Sequence, residues 1–159
     1  MEILEATSTD QLEQVRNLFR DYRAELAVEP CFKSFDEEID NLPGVYSPPG
    51  GKLLLALVLG QPIGCVGLRP FPKQGCCEMK RLYVRPTFRG DKIGRKLAER
   101  ILEDARQMGY SSMRLDSHLP SMQSAIAMYR KLGFHEVSPD PLEPIPGLIY
   151  METQLIPAR

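Results

Sequence analysis

The stretch FRGDKIGRKL has the residue types of an anion-binding turn. Gly90 and Gly94 precede apolar residues that recur at helical spacing, and Arg89, Lys92 and Arg95 place positive charge beside the two glycines. Backbone N–H groups at a helix N-terminus converge on one point, where the helix dipole adds about half a positive charge. The turn could therefore hold a phosphate group, although a tight connection between a strand and a helix could contain the same residues.

Other functions associated with such sequences do not fit this turn. A Walker loop requires GxxxxGK followed by Ser or Thr, and neither Gly90 nor Gly94 satisfies that spacing. A dinucleotide fingerprint requires GxGxxG, which is also absent here. The tripeptide RGD that begins at Arg89 resembles an adhesion motif, but its place at a predicted helix start favours coincidence.

Composition and charge narrow the classes of partner. The 159 residues are 43% hydrophobic and 26% charged, with a net charge of −1, as in an ordinary globular domain. A charge so close to zero would not attract nucleic acid or an acidic membrane, so we expect neither as a partner. The N-terminus has no basic signal region, and the longest apolar run, residues 53–59, is too short to cross a bilayer. We therefore expect a cytoplasmic protein.

Cysteines and histidines show no metal-ligand spacing. His118 and His135 are too few and too far apart to suggest a metal centre. The cysteines lack CxxC spacing and sit mostly in apolar surroundings, which favours buried free thiols over disulfides or zinc ligands. These cysteines are Cys31, Cys65, Cys76 and Cys77. We expect no metal cofactor.

Hydrophobic periodicity predicts an α/β domain. Ser8 and Gln11 form a capping box before a first helix, after the short strand ILEA, and FDEEIDNL predicts a short acidic helix. Three apolar runs at hairpin separations, KLLLALVL, IGCVGL and CCEMKRLYV, predict an antiparallel meander with a turn at GQP. A helix after RPTFRGD ends at Gly109, the strand SMRLDS follows, and a helix over about residues 121–132 precedes the strands FHEV and LIYMETQL.

Two stretches resemble the GNAT superfamily of acyl-CoA-dependent N-acyltransferases: EMKRLYVRPTFRGDKIGRKLAERIL and YSSMRLDSHLPSMQSAIAMYRKLGFHEV. Their specific motif blocks are Glu78 to Leu97 and Arg114 to Phe134. The resemblance implies one GNAT domain over residues 1–159, with a mixed, mostly antiparallel sheet of about seven strands and about four flanking helices. It also implies an acetyltransferase with acetyl-CoA as co-substrate, an amine as acceptor and, in some members, a homodimer.

The resemblance assigns the turn to the pyrophosphate of the coenzyme. The family motif reads Arg or Gln, two residues, Gly, one residue, then Gly or Ala, and Lys92 stands here in place of the first glycine. We expect Lys92 to be helical, with its N–H in the anion site and its ammonium towards solvent or phosphate. The coenzyme-binding residues implied are Leu82, Tyr83, Val84, Arg89, Gly90, Asp91, Lys92, Ile93, Gly94 and Arg95.

Catalytic roles follow from the same resemblance. Glu78 lies where many relatives have a general base, and Tyr129 lies where the family commonly has the acid that protonates the coenzyme thiolate. The strand that ends RLYV would splay from its neighbour and offer main-chain groups to the pantetheine arm. Glu78 could instead be a solvated glutamate paired with Lys80 or Arg81, and Tyr129 could be a core side chain.

Neighbouring residues are less specific. The family often has asparagine seven residues before the tyrosine, but Met122 stands here, so Ser121 or Ser124 would have to supply its polar contact. Asp116 and His118 could contact substrate or water, or cap the next helix.

Two questions stay open from the sequence. The first helix region and residues 28–51 and 139–146 are the parts expected to form the acceptor pocket, because the motifs constrain them least. The alternative to an enzyme is a GNAT-fold module that senses coenzyme or binds partners with little turnover, which the substitutions at Lys92 and Met122 favour slightly.

Overall fold

The computed structural model describes residues 1–26 and 34–155 and shows, within them, seven strands and four α-helices. The strands are β1 (Glu2–Glu5), β2 (Lys52–Val58), β3 (Gln61–Pro70), β4 (Cys76–Val84), β5 (Ser112–His118), β6 (His135–Val137) and β7 (Leu148–Gln154). The helices are α1 (Thr9–Leu26), α2 (Phe35–Asp40), α3 (Ile93–Gln107) and α4 (Gln123–Lys131). Short 3₁₀ turns at Gly44–Tyr46 and Pro86–Phe88 precede β2 and α3. The mixed, mostly antiparallel architecture predicted from the sequence is confirmed.

All seven strands form one sheet in the order β1-β2-β3-β4-β5-β7-β6. The predicted β2–β3–β4 meander is antiparallel, and β4 and β5 are the parallel neighbours. The β4–β5 ladder has three residue pairs and ends at Glu78 and Arg114, although both strands continue beyond that point. The two strands therefore separate in the middle of the sheet.

Each face of the sheet packs its own core. One core contains α3 and α4, with Leu97, Ile101 and Ile126 almost fully buried against the sheet. The other contains α1 and α2, with Phe19 and Phe35 as its large side chains. No helix within residues 1–26 and 34–155 is long and apolar enough to cross a membrane.

The helix α1 begins at the predicted capping box. The Ser8 hydroxyl accepts a hydrogen bond from the N–H of Gln11, and the Gln11 side chain accepts one from the N–H of Ser8. These reciprocal bonds satisfy two donors that a helix start otherwise leaves unpaired. The buried residues Val15, Leu18 and Phe19 then hold the helix on the sheet.

The β2–β3 turn lies earlier than predicted. Leu59 and Gly60 form it with φ angles of 50° and 77°, and Gln61 already belongs to β3. Left-handed residues at both positions match the twist of a two-residue hairpin. Leucine rarely adopts a left-handed conformation, so Leu59 does not indicate a turn in the sequence. Pro62 does suggest one, and the predicted turn therefore lies too late in the chain.

Cys65, Cys76 and Cys77 are buried, free thiols. Burial raises the pKa of the Cys65 and Cys77 thiols, so both stay protonated and unreactive at neutral pH. Cys31 lies outside the described residues.

Candidate active site

The candidate site begins where β4 leaves β5. After Glu78 the facing edges of the two strands have no ladder pairing, so their main-chain polar groups require water or a ligand. A bulge follows directly, because Arg81 and Leu82 together lie opposite Val66 of β3. Arg81 has a φ of 60°, which re-aims the rest of β4. The middle of β4 therefore combines an opening in the sheet with a bulge directly beside it.

A cleft of about 940 Å³ lies between the end of β4, the start of α3 and the helix α4. Tyr129 lines it from α4, together with Ser121, Met122 and Ser124. Nine of the ten residues predicted to hold the coenzyme also line it: Leu82, Tyr83, Val84, Arg89, Gly90, Lys92, Ile93, Gly94 and Arg95. Asp91 is exposed and is not part of the lining. The structure thus brings together residues that are up to 47 positions apart, from Leu82 to Tyr129.

The loop before α3 has a different backbone from the one expected. Lys92 is not helical, because it precedes α3 with φ 60° and ψ 26°, in the left-handed region. This conformation turns the chain into the helix, and glycine adopts it without the steric penalty of about 1–2 kcal/mol that an L-residue incurs. The penalty explains why the family motif has glycine at this position. Gly90, with φ 100°, supplies a second positive angle two residues earlier.

The N-terminus of α3 is open to an anion. No side chain caps it, and Lys92 contributes only its carbonyl oxygen, which accepts from the N–H of Lys96. The first-turn N–H groups of Ile93, Gly94 and Arg95 precede any intrahelical acceptor. All three residues line the cleft, so these donors and the positive helix end can meet a phosphate there.

Arg89 and Arg95 both have protein partners. Arg89 donates from Nε to the carbonyl oxygen of Val84 at 2.9 Å, and its terminal nitrogens contact the Glu25 carboxylate at 2.6 and 2.9 Å. The hydrogen bond from Arg89 lowers the pKa of Glu25, against the opposing effect of burial. Arg95 pairs with Glu99 one helical turn away. Arg89 therefore ties the loop to both β4 and α1 while its charge stays beside the cleft.

Tyr129 provides a neutral proton donor to the cleft. Its ring packs edge-on against Phe134. Its hydroxyl has no hydrogen-bond partner in residues 1–26 and 34–155. Burial raises the pKa of the phenol well above 10.0, and the negative charge of Asp116 raises it further. The phenol is therefore protonated throughout the physiological pH range and can donate a hydrogen bond.

Glu78 lies on the opposite side of the sheet from Met79, which belongs to the α3–α4 core. It is 3% exposed, and its carboxylate accepts a hydrogen bond from Nε of Arg69 at 2.9 Å. The alternative of a solvated glutamate paired with Lys80 or Arg81 is excluded, because Glu78 is buried and those two residues pair with carboxylates of β5 and α2. Glu78 does not line the large cleft, and it lines a second cavity instead.

Met122 connects the start of α4 to the end of β5 through its sulfur atom. Its Sδ accepts hydrogen bonds from the Ser117 hydroxyl at 3.0 Å and from the N–H of His118 at 3.3 Å. His118 Nδ1 lies 2.6 Å from the Ser121 hydroxyl oxygen. No side chain caps α4, so His118 contacts the Ser121 side chain without the helix-capping role that was one expectation, and Met122 helps to join β5 to α4. Ser124 remains as a polar side chain in the cleft.

Sequence reasoning missed three charged residues around the site: Arg69, Glu25 and Glu38. Each pairs with a residue of another element that the motifs did identify. No local signal marks them, since their partners are nine or more positions away in sequence. A β-hairpin register that places Arg69 opposite Glu78 could have identified the first of these pairs.

Comparison with known proteins agrees with this geometry. The acetyltransferase (GNAT) family model matches residues 12–134. An uncharacterized N-acetyltransferase of Schizosaccharomyces pombe is 39% identical over 145 residues, which are 91% of this chain and 88% of that protein. The IAA acetyltransferase of Azospirillum brasilense is 38% identical over 108 residues, covering 67% of this chain and 70% of that protein.

Solved structures show the same fold. A GNAT-family acetyltransferase of Staphylococcus aureus superposes with a TM-score of 0.79 at 18% sequence identity, covering 98% of this chain and 99% of that one. The family match spans β4, the α3 loop and α4, the elements that form the cleft. The chain therefore belongs to the GNAT family and is an acetyltransferase.

Proposed function

We propose that the protein transfers the acetyl group of acetyl-CoA directly to a primary amine of a small molecule or peptide. Glu78 is the general base and Tyr129 the general acid. The observation that carries the proposal is the separation of β4 and β5 after Glu78. It opens one cleft that contains unpaired strand edge, an uncapped helix start and the Tyr129 phenol.

The cleft suits the coenzyme in shape and chemistry. The open edge of β4 at Leu82 and Val84 offers main-chain groups of the kind that an amide-containing pantetheine arm can pair with. The α3 N-terminus offers N–H donors and positive charge to pyrophosphate. Acetyl-CoA, when bound, supplies the thioester whose carbonyl the amine attacks.

Glu78 acts on the acceptor amine. The residue occupies the last paired position before the strands separate, and its side chain lies on the face of the sheet opposite the α3–α4 core. It would take a proton from the acceptor ammonium, directly or through a water molecule, and leave a neutral amine as nucleophile. Its burial keeps the carboxylate in one position, held by the hydrogen bond from Arg69.

Tyr129 acts on the leaving group. Its hydroxyl lines the cleft without a partner in the described chain, and it is protonated at neutral pH. It would donate this proton, or a strong hydrogen bond, to the sulfur as the C–S bond breaks. The Asp116 carboxylate near the phenol disfavours a negative charge there, which favours return of the proton to Tyr129 after each turnover.

Binding and transfer test this proposal in two steps. Acetyl-CoA at about a hundred times its dissociation constant should stabilise the chain by roughly 2.7 kcal/mol and raise the unfolding midpoint by about 5–10 °C. ATP at the same concentration is the control for unspecific phosphate binding. Release of free thiol should then follow when a panel of primary amines is added. Binding without transfer to any amine would favour the coenzyme-sensing module instead.

The variant Glu78→Gln tests the base. It should lower the rate most at low pH, where the acceptor is mainly ammonium, and recover partly at high pH, where free amine is abundant. A pH–rate profile with the same shape as that of the wild type would remove Glu78 from the mechanism.

A further inference from the structure

The second cavity, of about 360 Å³, lies beside Glu78 on the side of the sheet that carries α1 and α2. Its charged residues are Glu78 and Arg69, which face each other across the β3–β4 ladder. Its other lining residues within the part of the chain that the structure describes are apolar and include Phe71, Val45 and Leu142. Val45 and Leu142 come from two of the three parts that the sequence predicts for the acceptor pocket, and the third, the first helix, contributes no lining residue within the described chain. The cavity has the size and the mixture of apolar walls and few polar groups typical of a small-molecule site.

The guanidinium of Arg69 has unused donors in this cavity. Its Nε donates to Glu78, and 32% of the side chain is exposed. In residues 1–26 and 34–155 its two terminal nitrogens have no hydrogen-bond partner. A guanidinium is planar and permanently charged, and two of its parallel N–H groups match the two oxygens of a carboxylate. The apolar walls would strengthen such a contact by excluding water.

Glu78 presents the opposite charge next to this donor group. A ligand with an ammonium and a carboxylate a few bonds apart could place the ammonium against Glu78 and the carboxylate against Arg69. Such a ligand adds no net charge to the pair, so no buried charge is left uncompensated. A polyamine would bring a further positive charge towards Arg69, which is unfavourable.

The charged side chains along β4 next to this cavity are paired as well. Three neighbouring ion pairs lie along β4, and each joins one basic and one acidic residue. They are Arg69–Glu78, Lys80–Asp116 and Arg81–Glu38. Within the described residues, these three pairs carry no net charge that would concentrate a polycation along β4.

We infer that the acceptor is a zwitterionic amine of amino-acid size, whose carboxylate is bound by Arg69 while Glu78 faces its ammonium. This inference rests on the proposed function, because it assumes that the second cavity receives the acceptor. Arg69 is then the residue that selects amines with a nearby carboxylate. The acetylated product is an N-acetyl amino acid, and its amide nitrogen no longer carries the positive charge that Glu78 attracts.

The test compares acceptors that differ only in the carboxylate. Each amino acid of a panel is assayed beside its methyl ester, by thiol release from acetyl-CoA. The wild type should prefer the best amino acid over its ester by about tenfold or more in kcat/KM. The variant Arg69→Gln should lose most of that preference, mainly through a higher KM for the amino acid. Arg69→Lys, which keeps the charge without the planar N–H pair, should lie between the two.

The decisive quantity is the ratio of kcat/KM for the amino acid to kcat/KM for its methyl ester, measured within each variant. Loss of the Arg69 hydrogen bond to Glu78 would change the rate for both acceptors, whereas loss of a carboxylate contact changes only one. Arg16→Gln is the matched control, since Arg16 is also a partly buried, ion-paired arginine but lines neither cavity. It should leave the ratio unchanged. Unfolding midpoints of all variants show whether each is folded.

Two results would overturn the inference while the proposed function stands. The wild type could acetylate esters or polyamines as well as amino acids, or Arg69→Gln could keep the wild-type ratio. Absence of transfer to every amine, with acetyl-CoA bound, would instead remove the proposed function and this inference with it.

Discussion

The two sides of the sheet opening present different kinds of chemical group. On the side of α3 and α4, the cleft presents main-chain groups of β4 and of the α3 start, with the neutral phenol of Tyr129. On the side of α1 and α2, the same stretch of β4 presents side chains in ion pairs with three other elements. Main-chain groups tolerate many sequences provided the backbone is right, whereas each ion pair requires two particular residues. Substitution of a single side chain should therefore disturb the second side more than the first, provided it leaves the backbone of the first side intact.

The largest effect is expected from the ion pair between β4 and α2. Arg81 and Glu38 make two hydrogen bonds, at 2.9 and 3.0 Å, and only 6% and 13% of their side chains are exposed. Arg81→Gln leaves the buried Glu38 carboxylate without its ion-pair partner, although the hydrogen bond from the Tyr46 hydroxyl stays, and should destabilise the protein by about 3–5 kcal/mol in denaturant unfolding. Arg95→Gln, which breaks an exposed pair on the other side, should change stability by less than about 1 kcal/mol. Equal effects of the two variants would contradict the contrast between the sides.

The same pair predicts a pH dependence. Burial alone would raise the pKa of Glu38, but the hydrogen bonds and charge of Arg81 outweigh it and hold the pKa below its ordinary value. A carboxyl with a lowered folded-state pKa stabilises the fold above its unfolded pKa, and this stability is lost as the pH falls through the folded value. The stability difference between the wild type and Glu38→Gln should therefore be full at pH 7 and shrink below about pH 4. A constant difference over this range would show that the charge contributes nothing.

On the coenzyme side the expected effect is kinetic. Tyr129→Phe should lower kcat by about a hundredfold, because the leaving sulfur loses its proton donor. The unfolding midpoint should hardly change, since the hydroxyl has no partner in the described chain. Tyr110→Phe is the matched control, because that hydroxyl donates to Gly50 away from the cleft. If Tyr129→Phe transferred the acetyl group at the wild-type rate in single-turnover measurements, Tyr129 would be ruled out as the general acid.

The smallest effect is expected at Lys92. Lys92→Gly should raise the free energy of unfolding by about 1 kcal/mol, because glycine adopts the left-handed conformation without strain. Lys92→Ala shortens the side chain but keeps the strain, so it should not show this gain. Acetyl-CoA affinity should change by less than about tenfold in Lys92→Gly. A larger increase in affinity would mean that the lysine side chain obstructs the site.

Local patterns were sufficient for most of the fold. The α1 capping box, the acidic helix α2, the meander and the stop at Gly109 depend on residues a few positions apart, and all of them are present. The exceptions are backbone angles. Leu59, Arg81 and Lys92 adopt left-handed conformations that their side chains disfavour, so residue type predicts the opposite. Leu59 and Lys92 are exposed, so the elements that these residues join, rather than side-chain packing, set their angles.

The sequence by itself determined the family, the element order and most of the cleft residues from β4 and the α3 loop, because these depend on short motifs and on hydrophobic periodicity. Only the tertiary structure decided which charges pair. Glu78 could have bonded to Lys80 or Arg81 nearby in sequence, but strand alternation and the β4 bulge direct it to Arg69 and direct Arg81 to α2. Charge pairing depends on distances between separate elements, and those distances exist only once the sheet and its two cores have formed.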